Sequence, residues 1–353
     1  MKSRVSLMLI MMLILMMVVG CGNQGESELG KNEEAAANQE NTKEISSPSG
    51  VGVGTAEAVK INVAAPNGTP TLSMIKMFKE KPSLGENIEV IYESVKSPDL
   101  MASKVMSKEA DIAIVPTNLA IKLYNKGVDY KFAASGIWGV LYIVSSEELT
   151  GWEDLRDKEI NMIGRGLTPD VVLRALMKEN GLEPDKDVKF KYVNGSTELA
   201  QLFIAGKSTV SIMPEPVLSK VLTKKEGTKI VLDLQKEWAK ISKGNDSYPQ
   251  AGVVINNNLV EKHPEIVEAF LEKYEESIQW VNENPTKAGE YSEELKTGLN
   301  AKIVEKAVTR SNLIYKNASD SKEHLEAYYK TLFGFSPELI GGKLPDEGFY
   351  LKK

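Results

Sequence analysis

The chain has 353 residues, enough for about two domains and a core that needs neither disulfides nor a metal to hold it. With 43 Lys and Arg against 49 Asp and Glu, its net charge is −6 and 42% of it is apolar, the balance of a mildly acidic globular protein and not of a nucleic-acid binder. One cysteine and two histidines exclude an intrachain disulfide framework and a Cys-rich zinc or iron–sulfur site, and they supply metal, Ser/His or Cys/His catalysis poorly.

At the N-terminus, Lys2 and Arg4 precede a nearly unbroken apolar run from Val5 to Val19. A bilayer needs roughly 20 such residues, so this is a signal-peptide core and not a transmembrane anchor. Val18-Val19-Gly20-Cys21 follows, ending in the only cysteine of the chain. It resembles the lipobox of bacterial lipoproteins, which implies cleavage after residue 20 and a diacylglycerol thioether on Cys21. Residues 22–57 hold seven glutamates, two lysines and no aromatic, too little apolar surface to fold. They read as a flexible acidic tether from 21 to 57, with an end-to-end distance of roughly 30 to 36 Å.

From Val59 the pattern alternates short apolar runs with helical periods, the signature of βα units and a largely parallel sheet. Strands are expected at Lys60–Ala65, Glu86–Glu93 and Ala110–Val115, and helices at Pro70–Lys79, Pro98–Lys108 and Thr117–Asn125. A second series places strands at Glu159–Ile163, Val188–Val193 and Thr209–Met213, and helices at Pro169–Asn180, Thr197–Ala205 and Pro216–Thr223.

The second series repeats the first about 98 residues on. A displacement of 99 superposes Thr69-Pro70 on Thr168-Pro169, and one of 98 superposes Ile114 on Ile212 and Pro116 on Pro214. The period is too long for a solenoid and suits two similar α/β lobes.

In open parallel sheets, ligands bind beyond the carboxyl ends of strands. The turns there are Pro66-Asn67-Gly68-Thr69-Pro70 and Pro116-Thr117-Asn118 in one lobe, and Gly164 to Asp170 and Met213 to Pro216 in the other. Thr69 and Thr168 are expected to be N-caps with proline next, and Gly68 and Gly166 let backbone approach a ligand closely. Two nucleotide motifs fail on inspection. Gly164-Arg165-Gly166 would need a glycine where Pro169 stands, and Gly206-Lys207-Ser208 follows a helix, with Gln201 in place of the first P-loop glycine.

The lipobox, the tether and the two-lobed body together resemble the extracytoplasmic substrate-binding lipoproteins of bacterial ABC importers, of the nitrate/sulfonate/taurine type that includes thiamine-precursor binders. Gly151-Trp152-Glu153-Asp154-Leu155, Thr168-Pro169-Asp170, Ile204-Ala205-Gly206-Lys207, Met213-Pro214-Glu215-Pro216 and His263-Pro264-Glu265 carry that resemblance. It implies a two-lobed type II periplasmic-binding fold. Lobe one is then 58–148 with 248–353, and lobe two is 149–247, with crossings near Ser145 to Glu148 and Asn245 to Gln250. Ala251–Ile255 would rejoin the first sheet, and Asn258 to Asn284 would form a long helix. The lobes would close on a small ligand, a sulfonate or a thiamine-precursor-like heteroaromatic, and deliver it to a permease.

The ligand-binding candidates are Asn67, Gly68, Thr69, Pro116, Thr117, Trp138, Arg165, Gly166, Thr168, Glu215 and Gln250. The Trp138 ring either stacks on a ligand or packs in the core. Arg165 either pairs with an anionic head group or is solvated surface. Glu215 either accepts from a ligand amine or stabilises the first turn of its helix. No GxSxG or HExxH motif is present, and no catalytic residue, metal or cofactor is expected. The protein is expected to be a monomer held to the membrane by lipid, with a sensor, an adhesion or scaffold lipoprotein, or a thiamine-precursor synthase-like enzyme as the alternatives.

Overall fold

A computed structural model describes residues 58–242 and 247–352. The signal-like run, Cys21, the tether and residues 243–246 of the expected return crossing lie outside the described residues.

The body begins β1 (Val59–Pro66), α1 (Thr69–Ser73), α2 (Ile75–Glu80), β2 (Ile88–Val95), α3 (Pro98–Met106), β3 (Ile112–Pro116), α4 (Thr117–Asn125), β4 (Tyr130–Trp138) and β5 (Leu141–Ser145). It continues through β6 (Glu159–Met162), α5 (Thr168–Glu179), β7 (Lys189–Tyr192), α6 (Ser196–Ile204), β8 (Val210–Pro214), α7 (Val217–Lys224), β9 (Lys229–Asp233), α8 (Leu234–Ile241) and β10 (Pro249–Asn256). The C-terminal part is α9 (Asn257–Lys262), α10 (Pro264–Glu283), α11 (Pro285–Glu294), α12 (Ala301–Val308), β11 (Leu313–Asn317) and α13 (Ala318–Phe335). No helix among the described residues is long and apolar enough to cross a membrane.

Two sheets result, ordered β11-β4-β10-β3-β1-β2 and β7-β6-β8-β5-β9. The repeat seen in sequence is a repeat in space. The order β2-β1-β3 recurs as β7-β6-β8, parallel in both sheets, and an antiparallel strand then follows in each, β10 beside β3 and β5 beside β8. The sheets are therefore mixed and less parallel than expected.

Three boundaries differ from expectation for local reasons. Asn87 sits at φ 57°, so extension starts only at Ile88. The helix expected from Pro70 breaks at Met74 (φ −109°, ψ 9°). The helix expected from Asn258 breaks at His263 (φ −138°, ψ 58°), because the proline that follows pushes this residue out of the helical region.

The outward crossing also lies earlier than Ser145 to Glu148. Leu141–Ser145 is a wholly buried apolar run paired with β8 in the second sheet, so the chain leaves the first sheet at Gly139 and Val140. Gly139 is required there. A Cβ would lie 2.6 Å from the Gln235 side chain and 2.9 Å from the Tyr248 ring, while its N–H donates to the Tyr248 carbonyl at 3.0 Å. The two crossings thus run against each other. Trp238 of α8, Tyr248 of the return crossing and Tyr328 of α13 pack around them with centroids 5.2 to 5.9 Å apart. A continuous apolar core joins both sheets through this point.

Candidate functional site

The carboxyl ends of β1, β3, β6 and β8 face one another, and the turns that follow enclose a cavity of about 70 Å³. Asn67, Gly68, Thr69, Pro116, Thr168, Glu215 and Gln250 line it, together with Ser196 and a mostly apolar wall that includes Ile114, Ile137, Val140 and Ile163. Seven of the eleven candidates are therefore brought together at one place. No Lys, Arg, His or Cys is among the lining residues.

The two threonines do not cap their helices as expected. The N-caps are Gly68, at φ 105°, and Leu167, and neither makes a side-chain capping bond. Each helix starts one residue earlier than the capping reading requires, so Thr69 and Thr168 stand at the first helical position with their hydroxyls free of that duty. Both hydroxyls turn across the cleft. Thr69 Oγ1 donates to the Glu215 carbonyl in the second lobe. Thr168 Oγ1 lies 3.2 Å from the Gln250 carbonyl and 3.2 Å from Asn118 Oδ1, both in the first lobe.

Asn118, missed among the candidates, completes this side of the cleft. It is fully buried, and Nδ2 donates to the Gly166 carbonyl at 2.9 Å and the Leu339 carbonyl at 3.3 Å. The loop it holds is fixed from behind as well. The Gly166 N–H donates to Asp170 Oδ2 at 2.7 Å, while Arg174 Nε and the Tyr192 hydroxyl reach Asp170 Oδ1 at 2.6 and 2.8 Å. Gln250 Oε1 accepts from the Val140 N–H at 3.1 Å, so the crossing itself forms one wall.

Glu215 is the most constrained residue of the site. Its side chain is 0% exposed. Oε2 accepts from the Ser219 N–H at 3.1 Å, and Oε1 accepts from Ser219 Oγ at 3.1 Å and Arg310 Nε at 2.6 Å. Burial pushes the carboxyl above its usual range, and the Arg310 guanidinium pulls the other way. The carboxylate thus closes the first turn of α7 and pairs with Arg310, and the carbonyl of Glu215 reaches the cleft contact with Thr69.

Four candidates lie elsewhere. Thr117 is buried behind the cavity, its hydroxyl donating to the Pro249 carbonyl at 2.5 Å. Gly166 contributes through its backbone only, to Asn118 and Asp170. Arg165 is exposed, with its guanidinium 4.8 Å from the centre of the Tyr192 ring. Trp138 lines a separate hollow of about 610 Å³ behind the crossings, where Nε1 donates to the Ile314 carbonyl at 2.9 Å and Lys316 Nζ lies 4.8 Å from its ring centre. The Pro116-Thr117-Asn118 turn did hold a signal for Asn118, as the third residue of a strand-end turn. Nothing local pointed to Arg310, which meets Glu215 from 95 residues away.

Comparisons with known proteins agree with this architecture. Residues 85–288 match the family described as NMT1/THI5 like. No curated protein matches. An ABC transporter structure from Parabacteroides distasonis is 27% identical, with a TM-score of 0.69 over 84% of this chain and 100% of that one. The periplasmic aliphatic sulphonate binding protein SsuA from Escherichia coli is 13% identical, with a TM-score of 0.65 over 83% and 92%. The periplasmic nitrate-binding protein NrtA from Synechocystis PCC 6803 is 15% identical, with a TM-score of 0.61 over 80% and 84%. With over half its length matched and both sheets in place, the chain belongs to the NMT1/THI5-like family and has the type II periplasmic-binding fold.

Proposed function

We propose that the protein is an extracytoplasmic solute-binding lipoprotein of an ABC importer, tethered through Cys21, that closes on a small ligand and presents it to a permease. The observation that carries this reading is the cavity where equivalent turns of the two lobes meet, bridged by Thr69, Thr168 and Asn118. The moving bodies of this reading are the lobe built on the first sheet and the lobe built on the second, which takes in β5, with the first hinge at Gly139 and Val140.

The ligand we infer is a small sulfonate or a thiamine-precursor-like heteroaromatic. A mostly apolar wall favours a molecule with an apolar part, and the amides that open α5 and the strand-end turns favour an electron-rich group. A plain oxyanion is disfavoured, because it has no apolar part to set against that wall. About 70 Å³ admits only a few water-sized groups, so the lobes must part to admit a larger ligand. Binding is favoured over catalysis, since the lining holds no His or Cys and the one buried carboxylate is already paired.

The test is native mass spectrometry and thermal shift on the full chain, screened against sulfonates, thiamine precursors, other heteroaromatics and small anions. Ligand at about a hundred times Kd should add about 2.7 kcal/mol of stability. A flat response, also from protein refolded to remove any carried-over ligand, would favour an adhesion or scaffold role.

A further inference from the structure

Arg310 belongs to the first lobe by its backbone. It follows α12, where its N–H donates to the Ala307 carbonyl at 2.9 Å, and it precedes β11, which pairs with β4 of the first sheet. Two residues on, Asn312 ties this segment to the outward crossing: its carbonyl accepts from the Trp138 N–H at 3.1 Å, and its Nδ2 donates to the Gly139 carbonyl at 2.5 Å.

The guanidinium, by contrast, is spent on the second lobe. Nε reaches Glu215 Oε1 and Nη2 reaches Ser219 Oγ, both at 2.6 Å, at the start of α7. Around it α12 packs on α7, and the turn 297–299 borders Pro216 and Val217 beside the cavity. Arg310 itself is not among the cavity-lining residues.

A carboxylate with no exposed surface is costly unless a cation pairs with it, and a planar fork that satisfies two acceptors at once is the strongest such partner. If the lobes part about the Gly139 crossing, α7 moves with the second lobe and Arg310 stays with the first, so both contacts are made only when the cleft is shut. We propose that Arg310 is a cross-lobe latch, a positioning residue that stabilises the shut cleft through Glu215 and Ser219 without touching the ligand. The latch rests on the solute-binding reading for its purpose but not for its detection.

Hydrogen exchange read by mass spectrometry on the full chain, with no ligand added, tests it. Arg310→Met, and Arg310→Lys should the first fail to fold, are compared with the natural protein. The latch predicts exchange faster by on the order of tenfold in Arg310→Met at the distant cleft turns 67–72 and 164–171, with the strand amides 112–115 unchanged. Arg310→Lys keeps the charge but loses the fork and should fall between. Acceleration confined to 215–219 and 307–312 would make Arg310 a local support of α7, and no acceleration at all would remove any role in closure; either overturns the proposal. A ligand screen that stays flat while the distant turns open would discard the solute-binding reading and keep the latch.

Discussion

Thr69 and Thr168 occupy the same position of equivalent helices in opposite lobes, and each sends its hydroxyl into the other lobe, Thr69 to the Glu215 carbonyl and Thr168 to the Gln250 carbonyl. This reciprocal pair is the internal repeat put to use. Replacing either by valine removes the hydroxyl and keeps the shape. A net hydrogen bond is worth about 1 kcal/mol, so each variant should bind ligand roughly three- to tenfold more weakly with little change in Tm. Calorimetric titration beside a melting curve reads both, and undiminished affinity in both variants would sink the cleft assignment.

Asn118→Ala should be the more damaging change. It strips Gly166 of its donor and Thr168 of one acceptor in a fully buried network. We expect ligand affinity to fall by about 1–3 kcal/mol and exchange to quicken in the 164–167 turn, while the Asp170–Arg174 contacts behind it persist. Affinity within twofold of the natural protein would show that the cleft shuts without this clamp.

Glu215 makes a pH prediction with a definite sign. Its carboxyl is raised by burial, against the pull of Arg310, so the folded chain holds that proton more tightly than the unfolded chain does. The stability this contributes is fully present below the ordinary glutamate pKa and is lost as pH rises through the raised value. Glu215→Gln keeps a neutral side chain at every pH. The unfolding free energy of the natural protein relative to Glu215→Gln should therefore fall as pH rises above the ordinary glutamate value of about 4.3. A difference that grows with pH would mean that the attraction of Arg310 outweighs burial.

Gly252 in β10 lies where that strand packs tightly on β4 of the first sheet. A Cβ there would lie 2.5 Å from the Ala134 carbonyl oxygen and 2.5 Å from the Phe132 ring. Backbone on one side and a core aromatic on the other cannot yield cheaply, so Gly252→Ala should cost about 1–3 kcal/mol. Chemical denaturation reads this directly, and a midpoint unchanged from the natural protein would refute the β10–β4 packing.

Cys21 is tested in cells. Cells fed a labelled fatty acid should transfer the label to the natural chain and not to Cys21→Ser. A natural chain left without label would refute the lipid anchor.

Much of the first layer was legible because it is written over short distances. The βα alternation, the recurrence after 98 residues, the strand-end prolines Pro116 and Pro214 and the turns at Thr69 and Thr168 all follow from periodicity and backbone preference within a few residues. They placed seven of the eleven candidates around one cavity. Trp138 and Arg165 were drawn in by their chemistry, but which surface an indole or a guanidinium meets depends on the elements packed against it.

The sequence by itself determined two similar α/β lobes with facing turns, because those signals are local and were repeated. Only the tertiary structure decided that β5 leaves the first lobe at Gly139, that the threonine hydroxyls cross the cleft instead of capping helices, and that Arg310 finds Glu215. Those contacts join segments up to 146 residues apart, and no local preference encodes which buried carboxylate or carbonyl a distant side chain will reach.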